Sequence, residues 1–250
     1  AWKGLLNGNV QLDLPTSGPN GQVSVETSGG TLSIREKDQW LDFPYESLKI
    51  SSILNPKRID SQLDFRGGKL GTLSVTVQID PLAKNKPLSG AFNLSGVDIS
   101  IARPFVPMVE KLTGRLNGSG RLSGGLLAPQ VNGSVTLSDG EVTGPELPVS
   151  LHDLTVQALI AGESLRLDGG WNSGESGKGT LNGQISWGEA LAVDLNLKGA
   201  HLPLTVEPYA LLEVAPNLNI TMKGGKLAIS GKVLIPKGAI TIRELPPSTV

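Results

Sequence analysis

RIDSQLDFR (residues 58–66) and TLSVTVQID (residues 72–80) alternate apolar and polar side chains. In the first, Ile59, Leu63 and Phe65 share one parity while Arg58, Asp60, Gln62, Asp64 and Arg66 take the other. In the second, Leu73, Val75, Val77 and Ile79 oppose Thr72, Ser74, Thr76, Gln78 and Asp80. Period-two alternation puts every second side chain on one face of a sheet. Half-buried strands of this kind favour antiparallel pairing.

The pattern extends outward in both directions. Leu191, Val193, Leu195 and Leu197 repeat it near the far end. Glycine pairs at 29–30, 67–68, 124–125, 169–170 and 224–225 separate such segments, and each is expected to be a turn in a long meander. Glycine at 32 and proline at 17 are too few for a disordered or collagen-like chain, so they too read as turn residues. Aromatics are only 4%, and Val, Leu and Ile alternating with Ser, Thr, Asn, Asp and Lys make a strand composition.

The chain also repeats itself. Gly133, Val135, Leu137, Gly140, Val142 and Thr143 recur 98 positions later as Gly231, Val233, Ile235, Gly238, Ile240 and Thr241. Leu63, Phe65, Gly67 and Gly68 match Leu165, Leu167, Gly169 and Gly170, and Leu94, Gly96, Val97 and Ile99 match Leu197, Gly199, Ala200 and Leu202. The expected organisation is one continuous repetitive domain over 1–250, with units near 1–100, 101–203 and a partial 204–250. Two apolar stretches bounded by proline, Pro104 to Leu112 and Pro208 to Pro216, have helical spacing and predict one short helix each.

Most function classes find no support in the residues. Lys plus Arg at 22 against Asp plus Glu at 23 leaves no basic field for nucleic acid. Without cysteine there is no disulfide, thiolate nucleophile or cysteine metal site. His152 and His201 lack a third ligand at metal spacing, so no metal is expected. No Gly-x-Ser-x-Gly elbow occurs, and Gly177-Lys178-Gly179 lacks the Ser or Thr that a phosphate loop needs after its lysine. Asp60 and Asp64 share a wet strand face with Arg58 and Arg66 and need no raised pKa. The expectation is a protein that is not an enzyme, with no catalytic residue and no cofactor.

No run of about 18 apolar residues occurs, so no membrane-spanning helix is expected. The chain starts and stops inside strand pattern without an initiator Met, and is expected to be a piece of a longer one.

What remains is the apolar parity. About twenty strands at roughly 4.8 Å spacing make a sheet near 95 Å long, which curls rather than staying flat. Folded lengthwise into a trough, such a sheet lines its interior with the apolar parity and turns the other to water. The residues expected to line that groove are Phe65, Val75, Val77, Phe92, Leu94, Val135, Leu137, Leu154, Val156, Leu165, Leu167, Leu181, Ile185, Leu195, Leu197, Val233 and Ile235. Roughly 0.8 kcal/mol per buried methylene gives about 12 kcal/mol for an acyl chain of some 15 methylenes, enough to hold one there. A client β-strand could occupy the same space, and a closed core that carries nothing is the alternative.

The segment Leu116, Gly118, Gly120, Leu122, Gly124, then Pro129, Val131, Gly133, Val135, Leu137, Asp139 and Gly140 resembles the repeat of the TamB family, and the likeness extends over essentially all 250 residues. TamB proteins are inner-membrane-anchored subunits of the bacterial translocation and assembly module, and the wider AsmA-like and bridge-like lipid-transfer proteins share this style of repeat. The resemblance implies an all-β fold with one or two short helices: a β-taco, folded lengthwise around a hydrophobic groove, in the periplasm. It also implies a TamA-like outer-membrane barrel as partner, with assembly of outer-membrane proteins and autotransporters and phospholipid movement between the membranes as the work. It carries over no catalytic residue.

Overall fold

The computed structural model describes residues 2–240 apart from 14, 17–19, 37–38, 146, 148, 189 and 207–209. Among them the chain forms eighteen strands: β1 (Trp2–Gly4), β2 (Asn7–Asp13), β3 (Asn20–Thr27), β4 (Gly30–Glu36), β5 (Gln39–Tyr45), β6 (Ser47–Asn55), β7 (Arg58–Arg66), β8 (Thr72–Ile79), β9 (Leu88–Asp98), β10 (Lys111–Gly125), β11 (Ala128–Thr143), β12 (Leu151–Ala161), β13 (Ser164–Ser173), β14 (Gly177–Ser186), β15 (Ala192–Ala200), β16 (Leu202–Val206), β17 (Ala210–Lys223) and β18 (Lys226–Ile240). Two short 3-10 helices, Gly68–Leu70 and Ile99–Phe105, join them.

Fifteen strands make one antiparallel sheet in the order β16-β17-β15-β14-β13-β12-β11-β10-β9-β8-β7-β6-β3-β2, with β18 on the free side of β17. The sheet does not close into a barrel. A long open antiparallel sheet of this kind fits the expected taco, with nearly every strand beside its sequence neighbour. Three strands leave the meander: β4 and β5 with β1 form a small separate sheet, and β3 and β6 pair directly beneath that insertion. The Tyr45 and Phe65 rings, 5.8 Å apart, tie the small sheet to the large one.

The two long edges differ. The turns after β6, β8, β10, β12, β14 and β17 all fall on one, here the turn edge. Toward the other, the ladders slip at Leu116/Gly118, Thr113/Arg115, Leu137/Gly140, His152/Thr155 and Glu213/Ala215. Gly96, Asp139, Asp153 and His201 take positive φ along this bulged edge. Bulges bend a strand and sharpen its twist, so a row of them curls that side of the sheet. The buried residues gather there: Val109, Ser173, Leu202 and Val214.

The helix expectations are corrected. Helical turns cover Ile99–Phe105 instead of running from Pro104 to Leu112, and Lys111 already opens β10. Pro104 and Pro107 lack the N–H groups an α-helix needs, and Val106 and Val109 bond back only three residues, to Arg103 and Val106. Ala210 to Pro216 is strand, held between β16 (Leu204 opposite Leu212, Leu202 opposite Val214) and β18 (Leu212 opposite Gly238). Pro208 lies outside the described residues. Gly169 and Gly170 are not a turn either, but sit inside β13.

Candidate functional site

Cross-strand register carries the alternation of single strands across the whole sheet. One row runs Leu48, Phe65, Leu73, Leu94, Gly118, Val135, Ala158, Leu167, Gly183, Leu195, Ile220, Ile229, each opposite the next. Two positions along the strands, a second runs Val25, Ile50, Leu63, Val75, Phe92, Gly120, Gly133, Ile160, Leu165, Ile185, Val193, Met222, Leu227. A third holds Leu116, Leu137, Val156, Gly169, Leu181, Leu197, Leu218 and Gly231.

Thirteen of the residues expected to line a groove stand in these rows. Val77 lies beside them, opposite Gly90 and Ser61. Leu154 faces Gly140, Val233 faces Pro216, and Ile235 follows two residues on, where the β17–β18 ladder slips. All seventeen therefore share one face of one sheet. The opposite face carries rows such as Glu26, Lys49, Asp64, Ser74 and Asn93. There Asp64 accepts hydrogen bonds from Gln62 and Ser74, and Arg58 pairs with Asp60 at 2.7 Å.

The glycines within the rows escaped sequence reasoning. Gly118, Gly120, Gly133, Gly169 and Gly183 stand opposite large apolar side chains. A Cβ on Gly120 would come 2.6 Å from Cε1 of Phe92, so the ring lies down over the neighbouring strand. Trp171 lies the same way over Gly179 and belongs to this face, and its buried Nε1 has no hydrogen-bond partner. The signal was available, because these glycines have the apolar parity. Ser52 and Ser61 also interrupt the face, and their hydroxyls satisfy each other at 2.8 Å.

The face is open. Among the described residues, only Tyr45, Val109, Leu202 and Val214 are apolar side chains exposed by 8% or less, and none is among the seventeen. The accessible surface is 16467 Å², against about 10,600 Å² for a compact monomer of 26.1 kDa. A surface about half as large again belongs to an extended sheet and not to a compact globule.

The two histidines sit at the bulged edge on either side of the turn between β13 and β14. His152 places Nδ1 3.0 Å from Asp153 and Nε2 3.1 Å from the Gly174 carbonyl. Asp153 raises the His152 pKa first and the carbonyl adds to it. Asp153 itself is lowered, chiefly by Asn172 donating to it and then by His152. His201 Nδ1 lies 2.6 Å from Glu213, which also pairs with Lys237. Among the described residues no cluster of three His, Asp or Glu side chains could hold a metal ion, and no helix is long and apolar enough to cross a membrane.

Comparison with known proteins places this sheet. The family model described as TamB, N-terminal domain, matches residues 1–137, more than half the chain. The chain belongs to the TamB family. The model described as TamB C-terminal domain matches residues 169–250. The translocation and assembly module subunit TamB of Haemophilus influenzae is 22% identical over 229 residues, 90% of this chain but 18% of that protein. The chain thus spans about a fifth of its TamB relative. No solved structure matches it.

Proposed function

We propose that this chain is part of the periplasmic trough of a TamB-like subunit of a translocation and assembly module. The seventeen residues would line a groove that shelters apolar guests between the inner and outer membranes. One observation carries the reading: an apolar face continuous in register over at least a dozen strands, left half-exposed. A free oily face of that length is a liability in water unless something visits it.

The guests are phospholipid acyl chains, outer-membrane protein strands, or both. A lipid tail needs only a smooth oily lining, whereas a client strand also needs a free sheet edge for main-chain pairing. The outer edge of β18 has no strand partner among the described residues. Family membership supports a TamA-like outer-membrane barrel as partner, an inner-membrane anchor elsewhere in the longer protein, and a part in assembling outer-membrane proteins and autotransporters. No chemical step is assigned to the chain, because the work is physical shelter.

The test places arginine in the lining. Leu181→Arg or Leu195→Arg in the full-length protein should abolish its support of outer-membrane assembly or lipid supply in cells. The protein should stay folded and present at normal level, since a charge in the trough repels an apolar guest. Full activity of both variants would overturn the reading.

A further inference from the structure

The β4–β5 hairpin leaves the meander, and the trough itself does not require it. β3 ends and β6 begins on the bulged edge, with Thr27 directly opposite Leu48. A loop of a few residues could join them, yet the chain inserts a hairpin of two seven-residue strands there. Its two faces are unlike. Leu32 stands opposite Phe43 and Ile34 opposite Leu41, with Tyr45 next in the same parity. The other parity holds Ser33, which donates a hydrogen bond to Asp42, and the exposed Trp40.

The apolar parity of the hairpin joins the apolar face of the trough. Tyr45 is buried and stacks on Phe65, a residue of the lining. Phe65 leans on Gly67, where a Cβ would come 2.6 Å from both Phe65 Cε1 and Leu70 Cβ. Ile99, at the start of the second 3-10 helix, approaches the lining too, since a Cβ on Gly114 would lie 3.2 Å from its Cδ1 and 3.0 Å from Leu137 Cδ1. A cavity of about 370 Å³ opens between Phe43 and Tyr45 of the hairpin, Leu70 of the β7–β8 turn, and Ile101 and Pro104 of that helix, with Asp42, Glu46 and Lys69 also lining it. The hairpin therefore lies along the ends of β7 to β9, about 14 Å of trough at the usual strand spacing, instead of standing out from the edge.

We propose that the β4–β5 hairpin is a strap over this part of the trough that passes acyl chains and refuses polypeptide strands. The proposal rests on the reading that the trough holds apolar guests. Elsewhere the trough is open, so a strand lying in it can turn its N–H and C=O groups to water. Under the strap those groups meet Leu32, Ile34, Leu41 and Phe43 on one side and the lining on the other. No backbone edge is offered to them. β4 lies between β1 and β5, and β6 to β9 are each paired on both sides. The free side of β5 lies against the Gly68–Leu70 turn, and the strand carries Pro44, which has no N–H. A polypeptide would bury unpaired polar groups there, whereas an acyl chain brings none. Leu32 and Ile34 stay 40% exposed, so the apolar face of the strap is not packed shut and leaves room for such a chain.

The test places a photoreactive side chain in the full-length protein in cells, at Leu73, which stands opposite Phe65, and in parallel at Leu195, away from the strap. Phospholipid adducts should form at both positions, and outer-membrane barrel peptides at Leu195 alone. Excising residues 30–45 leaves Ser28, Gly29, Glu46 and Ser47 between Thr27 and Leu48, an ordinary hairpin loop. The excision should raise barrel-peptide adducts at Leu73 about tenfold or more, the factor that one relieved buried polar group supplies. Ile34→Ser with Leu41→Ser, a cross-strand pair, keeps the hairpin and should act in the same direction. Normal cellular level and protease resistance check that each variant is folded. Barrel peptides at Leu73 of the intact protein would overturn the strap, as would peptide adducts there that neither change raises. Lipid adducts at Leu195 without any at Leu73 would overturn the strap and leave the trough standing, whereas no guest at either position would overturn both.

Discussion

The indole of Trp171 lies flat over the backbone of Gly179, its cross-strand partner, so the largest side chain of this part of the apolar face occupies the space of a missing Cβ. The same device places Phe92 over Gly120. Alternating large residues with glycine along a row keeps the lining continuous without crowding the sheet.

Gly179→Val should therefore displace the indole and destabilise the chain by about 1–3 kcal/mol. The checks are a denaturant melt and the Trp171 side-chain N–H resonance, assigned by its loss in Trp171→Phe. An unmoved resonance with unchanged stability would show that the ring does not depend on the glycine.

Ser52 and Ser61 offer a polar test on the same face. Either one changed to Ala leaves the other hydroxyl short of its partner and should cost about 0.5–1.5 kcal/mol. Both changed to Val should recover most of that loss, because two apolar side chains then face each other as their neighbours do. A double-mutant cycle that adds without coupling would contradict the pairing.

Both ring nitrogens of His152 face acceptors, a carboxylate and a carbonyl, so the ring satisfies both only as an imidazolium. Its pKa is raised above the ordinary 6.5. The group therefore adds local stability that is complete below the unfolded pKa and fades as pH rises through the folded one. Hydrogen exchange at the β13–β14 turn should quicken over that interval, and Asp153→Asn should bring the NMR-measured His152 pKa back down. An NMR titration at or below the ordinary histidine value would contradict the geometry.

The parity of Leu63, Val75 and Leu195 was legible because period two depends only on residue order, and antiparallel ladders carry it from strand to strand unchanged. Ala210 to Pro216 was misread because Leu211, Leu212 and Val214 fit a helix turn as well as a strand. What decides is the presence of β16 and β18 on either side, which no local pattern reports. Gly169 and Gly170 misled for a related reason, since a glycine pair signals a turn by its freedom and an in-strand gap by its lack of Cβ. The small sheet of β1, β4 and β5 was not foreseen, because Leu32, Ile34, Leu41 and Phe43 alternate as the main strands do. The two histidines, far apart in sequence, meet one turn only through the register of β12 to β16.

The most direct test of an open, guest-holding trough is a photoreactive side chain at Leu195 of the full-length protein in living cells, with the same probe at Asn196 as the outward-facing control. The account predicts adducts with phospholipid or with outer-membrane barrel peptides at Leu195 that are absent at Asn196. Adducts at Leu195 made only within the chain would contradict it and would mean that the face is closed.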